Sequence, residues 1–379
     1  MTMTPRLSPA RLVWPAALLL CACAAASTAN RGTGVAAAPD RKTSHGACGT
    51  MPLDRCVEEG VVKLMVAATT EDEQVGRGML VAACEAGASG ACMTLAKLTF
   101  ATLSSPADSG SAAERGRTVT EGMKMFDRAC DLGNGEACFL GGWVADGASP
   151  YVDGRDTETA LRLYEAACAD GYGAGCTNAA ILHSEGLAVP RDEARAARLH
   201  LRACALESHG GCGDAGGRLV NGWGIARDTR AGARLLAQAC DRSNAYACMQ
   251  LGLHLWQTDR PANTATILRL LGTSCDAGLG DACKHMGDFL GTERDPRAAP
   301  VLAEVYRRAI EIYEESCGRK HGWSCHRLGE MHRNGLGVSR DDAKADSYFE
   351  RACRYDSRKC TGWKGNADNN SPLPPASPP

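Results

Sequence analysis

The feature that most limits what this chain can fold into is a cysteine spacing. Cys48 and Cys56 stand eight residues apart, as do Cys84 and Cys92, Cys130 and Cys138, Cys168 and Cys176, Cys204 and Cys212, Cys240 and Cys248, Cys275 and Cys283, and Cys317 and Cys325. Cys353 and Cys360 are one residue closer. These pairs use 18 of the 20 cysteines; Cys21 and Cys23 lie near the start. Two residues eight apart on an unbroken helix are roughly 12 Å apart, whereas a disulfide needs Cα atoms within about 7 Å. Bridging therefore demands a chain reversal inside each pair. Gly87, Gly133, Gly171 and Gly278 fall three places after the first cysteine, where a glycine ends a helix. Glu207, Ser243 and Lys320 take that place in other copies. Each unit reads as helix, stapled turn, helix. Zinc ligands usually sit two to four residues apart within a pair, so a zinc site fits this spacing poorly. Free thiols would have no reason to recur in register, and no C-x-x-C redox motif is present. Disulfides fit best, and they require an oxidising compartment.

The pairs recur with a base period of 36 residues, lengthened to 46 between Cys84 and Cys130 and to 42 between Cys275 and Cys317. The first lengthening carries a polar run from Ser104 to Gly116, read as a loop; the second carries Thr292 to Pro300. Both fall in the turn away from the cysteines. That turn has its own signature, with Gly186, Gly222 and Gly335 placed to end one helix and Asp192, Asp228 and Asp341 placed to cap the next. Small residues also keep register. Ala96, Gly142, Ala180, Gly216, Gly252, Gly287 and Gly329 stand four after the second cysteine, and Gly76, Gly122, Ala160, Ala196, Gly232, Ala309 and Ala345 eight before the next first cysteine. Such positions let helix backbones approach, so that stacked hairpins share a core.

Flanking segments read differently. Residues 1–23 have the form of an export signal: Arg6 and Arg11, then a short apolar run from Leu12 to Leu20. The run is too short to span a bilayer. Leu20-Cys21-Ala22-Cys23 resembles a lipobox with Cys23 as the lipidated residue; cleavage among the following alanines is the alternative. Residues 24–46 are expected to be a flexible tether, residues 47–361 the repeat array, and residues 362–379, ending in a proline-rich stretch, a disordered tail.

The A-x-x-L-G pattern, the G-x-G-V-x-x-D-x-x-x-A turn and the Ala-Cys-x7-Cys closure together resemble Sel-1-like repeats of the cysteine-rich, disulfide-stapled Hcp type. The resemblance covers about residues 47–361. It implies an all-α fold: a right-handed solenoid of about eight αα-hairpins, related to tetratricopeptide repeats. By that analogy the first helix of each pair lines the concave side. Positions one, five and eight after the second cysteine would then face a groove, among them Phe139, Trp143, Met249, Leu253, Trp256, Asp288, His326, Glu330 and Arg333. A mixed apolar and charged surface of that kind suits a protein or peptide ligand. With the export signal and lipobox, the expectation is a non-enzymatic scaffold in the bacterial envelope, lipid-anchored in the periplasm or outer membrane, or else secreted. Its membrane contact would be the anchor alone.

Cysteine-rich relatives have also been associated with β-lactam or muropeptide binding and weak β-lactamase activity, which gives an alternative reading as a hydrolase. The residues lend it little support. No S-x-x-K and no G-x-S-x-G occurs, and the nine histidines form no H-E-x-x-H. No catalytic residue, metal ligand or cofactor is assigned. A net charge of −2 gives no electrostatic case for nucleic-acid binding.

Overall fold

Sixteen α-helices follow one another in the computed structural model, which describes residues 47–103, 111–147, 154–293 and 299–355. They are α1 (Leu53–Met65), α2 (Thr70–Glu85), α3 (Ser89–Thr102), α4 (Ala112–Asp131), α5 (Gly135–Ala145), α6 (Thr157–Ala169), α7 (Gly173–Glu185), α8 (Glu193–Ala205), α9 (His209–Asn221), α10 (Thr229–Asp241), α11 (Ala245–Thr258), α12 (Arg260–Asp276), α13 (Gly280–Glu293), α14 (Ala299–Gly318), α15 (Gly322–Asn334) and α16 (Asp342–Tyr355). Each odd helix packs most closely against the even helix that follows, giving eight hairpins in a solenoid, with no strand among the described residues. No described helix is long and apolar enough to cross a membrane. Cys23 and Cys360 lie outside the described residues, as do 1–46 and 356–379.

The eight pairs from Cys48–Cys56 to Cys317–Cys325 are disulfides, with Cα atoms 4.3–5.5 Å apart. Each stapled turn from Cys84 onward closes in the same way. The amide three after the first cysteine bonds to that cysteine's carbonyl, and the next amide reaches the carbonyl of the residue before the cysteine. Gly171 to Cys168 (3.2 Å) and Tyr172 to Ala167 (2.8 Å) show the pattern. It is the paired bonding of a Schellman C-cap, which puts one residue in the left-handed region. Glycine holds that place in four turns, but Glu207 (φ 58°), Ser243 (φ 66°) and Lys320 (φ 68°) hold it in three. A side chain there costs roughly 1–2 kcal/mol. Glu207→Gly and Lys320→Gly are therefore expected to stabilise the fold by about 1 kcal/mol each, less the extra freedom glycine gives the unfolded chain. Urea midpoints check this; an unchanged midpoint in both would refute it.

The opposite turns close as their sequence suggests. Gly186, Gly222 and Gly335 end α7, α9 and α15 in left-handed conformations. The carboxylates of Asp192, Asp228 and Asp341 accept the amides of Arg195, Ala231 and Lys344. The longer turn after α3 departs from expectation. Its polar run is not all loop, because α4 already begins at Ala112. Ser111 and Glu114 exchange side-chain-to-amide bonds across the first turn, a reciprocal cap that starts a helix inside a polar segment. Likewise α13 continues to Glu293 and α14 starts at Ala299, with Pro300 in its first turn, where proline costs no hydrogen bond.

Within each hairpin the helices cross at the small residues. A Cβ on Gly232 would meet the Gly216 carbonyl at 2.7 Å, and one on Gly76 the Gly60 carbonyl at 2.9 Å. Gly60 extends the pattern to the first hairpin. One residue of each even helix, four before its cysteine, fills the space beside the crossing: Leu80, Phe126, Tyr164, Leu236, Leu271, Tyr313 and Phe349 are all buried there. The eighth, on α8, is His200.

Candidate interaction face

Successive odd helices touch one another directly at α5–α7, α7–α9 and α9–α11. Polar bonds make the same connection at the two ends. Lys97 on α3 reaches Glu136 on α5 at 2.8 Å. Between α13 and α15 the link is a built cluster. The Asp281 carboxylate accepts from Tyr313 Oη (2.6 Å), Trp323 Nε1 (3.2 Å) and Arg327 Nε (3.0 Å). The Arg327 guanidinium lies 4.2 Å from the Trp323 ring centre and donates again to Glu330 at 2.7 Å. The side chains of Asp281, Arg327 and Glu330 keep under a fifth of their surface in solvent. Burial pushes the Glu330 carboxyl up, but His326 and Arg327 beside it outweigh that and bring it to about 2. Asp288 behaves alike: burial is overcome by His285, Lys284 and the Tyr306 hydroxyl, leaving it at about 2. Both carboxylates are therefore charged over ordinary pH.

The residues singled out by spacing divide three ways. Met249 lies in the core at 3% exposure, so it is not a surface residue. It belongs to the same buried cluster as Ile267 and Leu271. Phe139, Trp143, Leu253 and Trp256 are half-buried. Phe139 leans on Tyr172 (5.1 Å between centroids) and Trp256 meets Phe289 edge-on (5.3 Å). His326 and Glu330 join the polar cluster, Asp288 is held apart from it by Lys284 and the Tyr306 hydroxyl, and exposed Arg333 covers the Phe349 ring at 4.7 Å and pairs with Asp346 at 2.5 Å. Spacing missed Asp281, Trp323 and Arg327. They stand two before and two after the second cysteine, on a ridge beside the chosen one. An aromatic and an arginine four apart on α15 were the available signal.

The hydrolase reading meets one contact worth weighing. His321 Nδ1 and Ser324 Oγ are 2.8 Å apart. Ser324 is 4% exposed and occupies the place of Ala91, Ala137, Ala247 and Ala282, all fully buried. It closes the first turn of α15 and offers no reachable nucleophile. No group of three metal-ligating side chains occurs among the described residues.

A second ionisable group sits inside the stack. His200 is 2% exposed, its Nδ1 makes no hydrogen bond, and Asp214 Oδ2 on α9 lies 3.5 Å away. Nearby Arg218 is buried too and pairs with Glu193 at the start of α8 (2.7 Å). Burial, and then Arg218, bring His200 down to about 3, while burial lifts Asp214 to about 7. The two shifts oppose each other. A depressed His200 contributes stability that is present above its unfolded value of 6.5 and lost as pH falls toward 3. A raised Asp214 contributes stability that is present below its unfolded 3.8 and lost as pH rises through 7. Between about pH 4 and 6.5 the two contributions run in opposite directions, so this pair adds little pH dependence of its own. Asp214→Asn should lose stability below about pH 6.5, and His200→Leu should lose it between about pH 4 and 7. Urea midpoints at three pH values check this; parallel profiles for both variants would refute it.

Four segments match the model of the Sel1 repeat: residues 137–172, 173–208, 216–244 and 324–354. Cytochrome c oxidase assembly factor 7A of Xenopus laevis is 26% identical over 95 residues, which is 25% of this chain and 38% of that protein. The match thus spans well under half of that relative. Among solved structures, a Sel1 repeat protein from Oxalobacter formigenes superposes with a TM-score of 0.52 at 18% identity, covering 82% of this chain and 85% of that one. The cysteine-rich protein B of Helicobacter pylori aligns at 20% identity over 37% of this chain and 96% of its own, with a TM-score of 0.29. Each matched segment covers most of one odd–even helix pair, the disulfides join such pairs in succession, and the structure repeats the same pair where no segment matches. The chain carries Sel1 repeats, built as a solenoid of disulfide-stapled helix pairs.

Proposed function

We propose that this protein is a non-enzymatic scaffold of the bacterial envelope that binds an extended segment of another protein across the odd-helix face. The observation that carries the reading is the preformed Asp281–Arg327–Trp323 cluster linking α13 to α15. It fixes an aromatic ring and charged groups in place, so binding would cost little ordering entropy. Eight disulfides favour an oxidising, extracytoplasmic setting. Export through residues 1–23, lipidation at Cys23, a tether over 24–46, an array ending near 361 and a tail beyond it complete the proposal. The test is photo-crosslinking in envelope fractions, with the reactive residue placed at His326 or at the exposed Ala343 of α16. Capture of one defined protein from His326 and not from Ala343, lost in Trp323→Ala/Arg327→Ala, is expected. Equal capture from both positions, or capture untouched by the double variant, would overturn the reading.

A further inference from the structure

The even helices carry a pattern independent of the odd face. Six residues before the closing cysteine stand Lys124 on α4, Arg162 on α6, Arg198 on α8, Arg234 on α10 and Arg269 on α12. All five are exposed. The series stops at Gly78 on α2 and at Glu311 on α14. One base per hairpin, at the same helical position in five successive hairpins, forms a ladder. Side-chain pairs link the helices of its first three rungs: Arg162 pairs with Asp127 of α4 at 2.8 Å, and Arg195 of α8 with Glu165 of α6 at 3.2 Å. Arg162 is the one rung with an ion pair among the described residues, and Arg198 lies in the field of the Asp192 cap on its own helix. Among the described residues the exposed large apolar side chains belong to the first hairpin or to α14, so the ladder helices offer charge without an apolar anchor.

We propose that this ladder receives an acidic, extended polypeptide segment whose carboxylates recur at every third residue. Helices joined by such side-chain pairs lie on the order of 10 Å apart, and an extended chain advances about 3.3 Å per residue. Three residues therefore cover one rung. Four of the five rungs are arginine, whose fork holds a carboxylate through two parallel bonds. A one-dimensional row of charges suits a linear partner; a planar membrane would call for a broad patch.

The test uses the full chain with its disulfides formed. The probe is a synthetic peptide of about fifteen residues with glutamate at every third position and serine or threonine between. Its control has the same composition with the glutamates in one block. The spaced peptide should bind at least fivefold tighter than the blocked one. Arg198→Glu/Arg234→Glu should weaken it at least tenfold, while Arg307→Glu on α14 leaves it within twofold. Melting curves confirm that the variants fold. Equal binding of the two peptides would overturn the proposal. So would an Arg307→Glu effect as large as the double variant's. Tighter capture of inorganic polyphosphate or phosphatidylglycerol vesicles than of the spaced peptide, lost in the double variant, would make phosphate the ligand and refute a polypeptide one.

Discussion

Reducing the eight described disulfides is expected to unfold the array near neutral pH at room temperature. Each bridge closes a loop of nine residues, and in the chain-entropy account such a loop restrains the unfolded chain by about 2.5 kcal/mol. Eight of them exceed the roughly 5–15 kcal/mol by which a folded domain usually outlasts its unfolded chain. The cores between hairpins are poor compensation. Alanine, glycine and cysteine occupy most fully buried positions, and only a handful of large side chains reach that depth. The effect should also be modular, because each hairpin touches mainly its neighbours. Replacing Cys168 and Cys176 by serine should lower the urea midpoint and raise amide exchange first in α6 and α7. Far-UV circular dichroism with and without reductant reads the global effect. An unchanged spectrum and midpoint after complete reduction would show that packing alone holds the helices.

Gly224→Ala should cost about 3 kcal/mol or more, the largest loss expected from one methyl group here. Gly224 sits at φ 70°, and a Cβ there would strike the Glu193 carbonyl and come within 2.8 Å of the Ala194 amide. Both are backbone at the start of α8, so no side-chain rotation relieves the clash. Conformation alone does not explain the need for glycine, since Ala188 holds the matching place in the previous hairpin at φ 68°. The added cost comes from the neighbour. Moving α8 away would also pull Glu193 from Arg218, leaving a buried guanidinium unpaired. Gly337→Ala should behave alike, since its Cβ would meet Tyr306. Thermal melts of the two variants settle the matter. A Gly224→Ala variant as stable as the parent would mean that this turn does not rest on α8.

The fold was legible because its signals are local and repeated. The cysteine spacing needs a reversal, the capping aspartates mark helix starts, and the small residues mark crossings, all within one period of the chain. The misread loop before α4 is a case where polarity outvoted a capping box that was there to be seen in Ser111 and Glu114. The candidate face was only half legible. Counting from the cysteine chose the ridge of His326 and Glu330 but passed over Asp281, Trp323 and Arg327, which the structure joins across 42 and 46 residues. Met249 shows the reverse error, a position exposed by analogy and buried by its neighbours.

Sequence by itself determined the hairpin, its staples and the number of times it recurs, because those follow from contacts within a few residues. Tertiary structure alone decided which ionisable groups meet. His200 reads in the sequence as one more histidine and becomes a buried partner of Asp214 only once α8 packs on α9. The basic ladder likewise becomes a row only as one hairpin stacks on the next. Distance along the chain carries no information about those pairings; the stacking of one hairpin on the next supplies it.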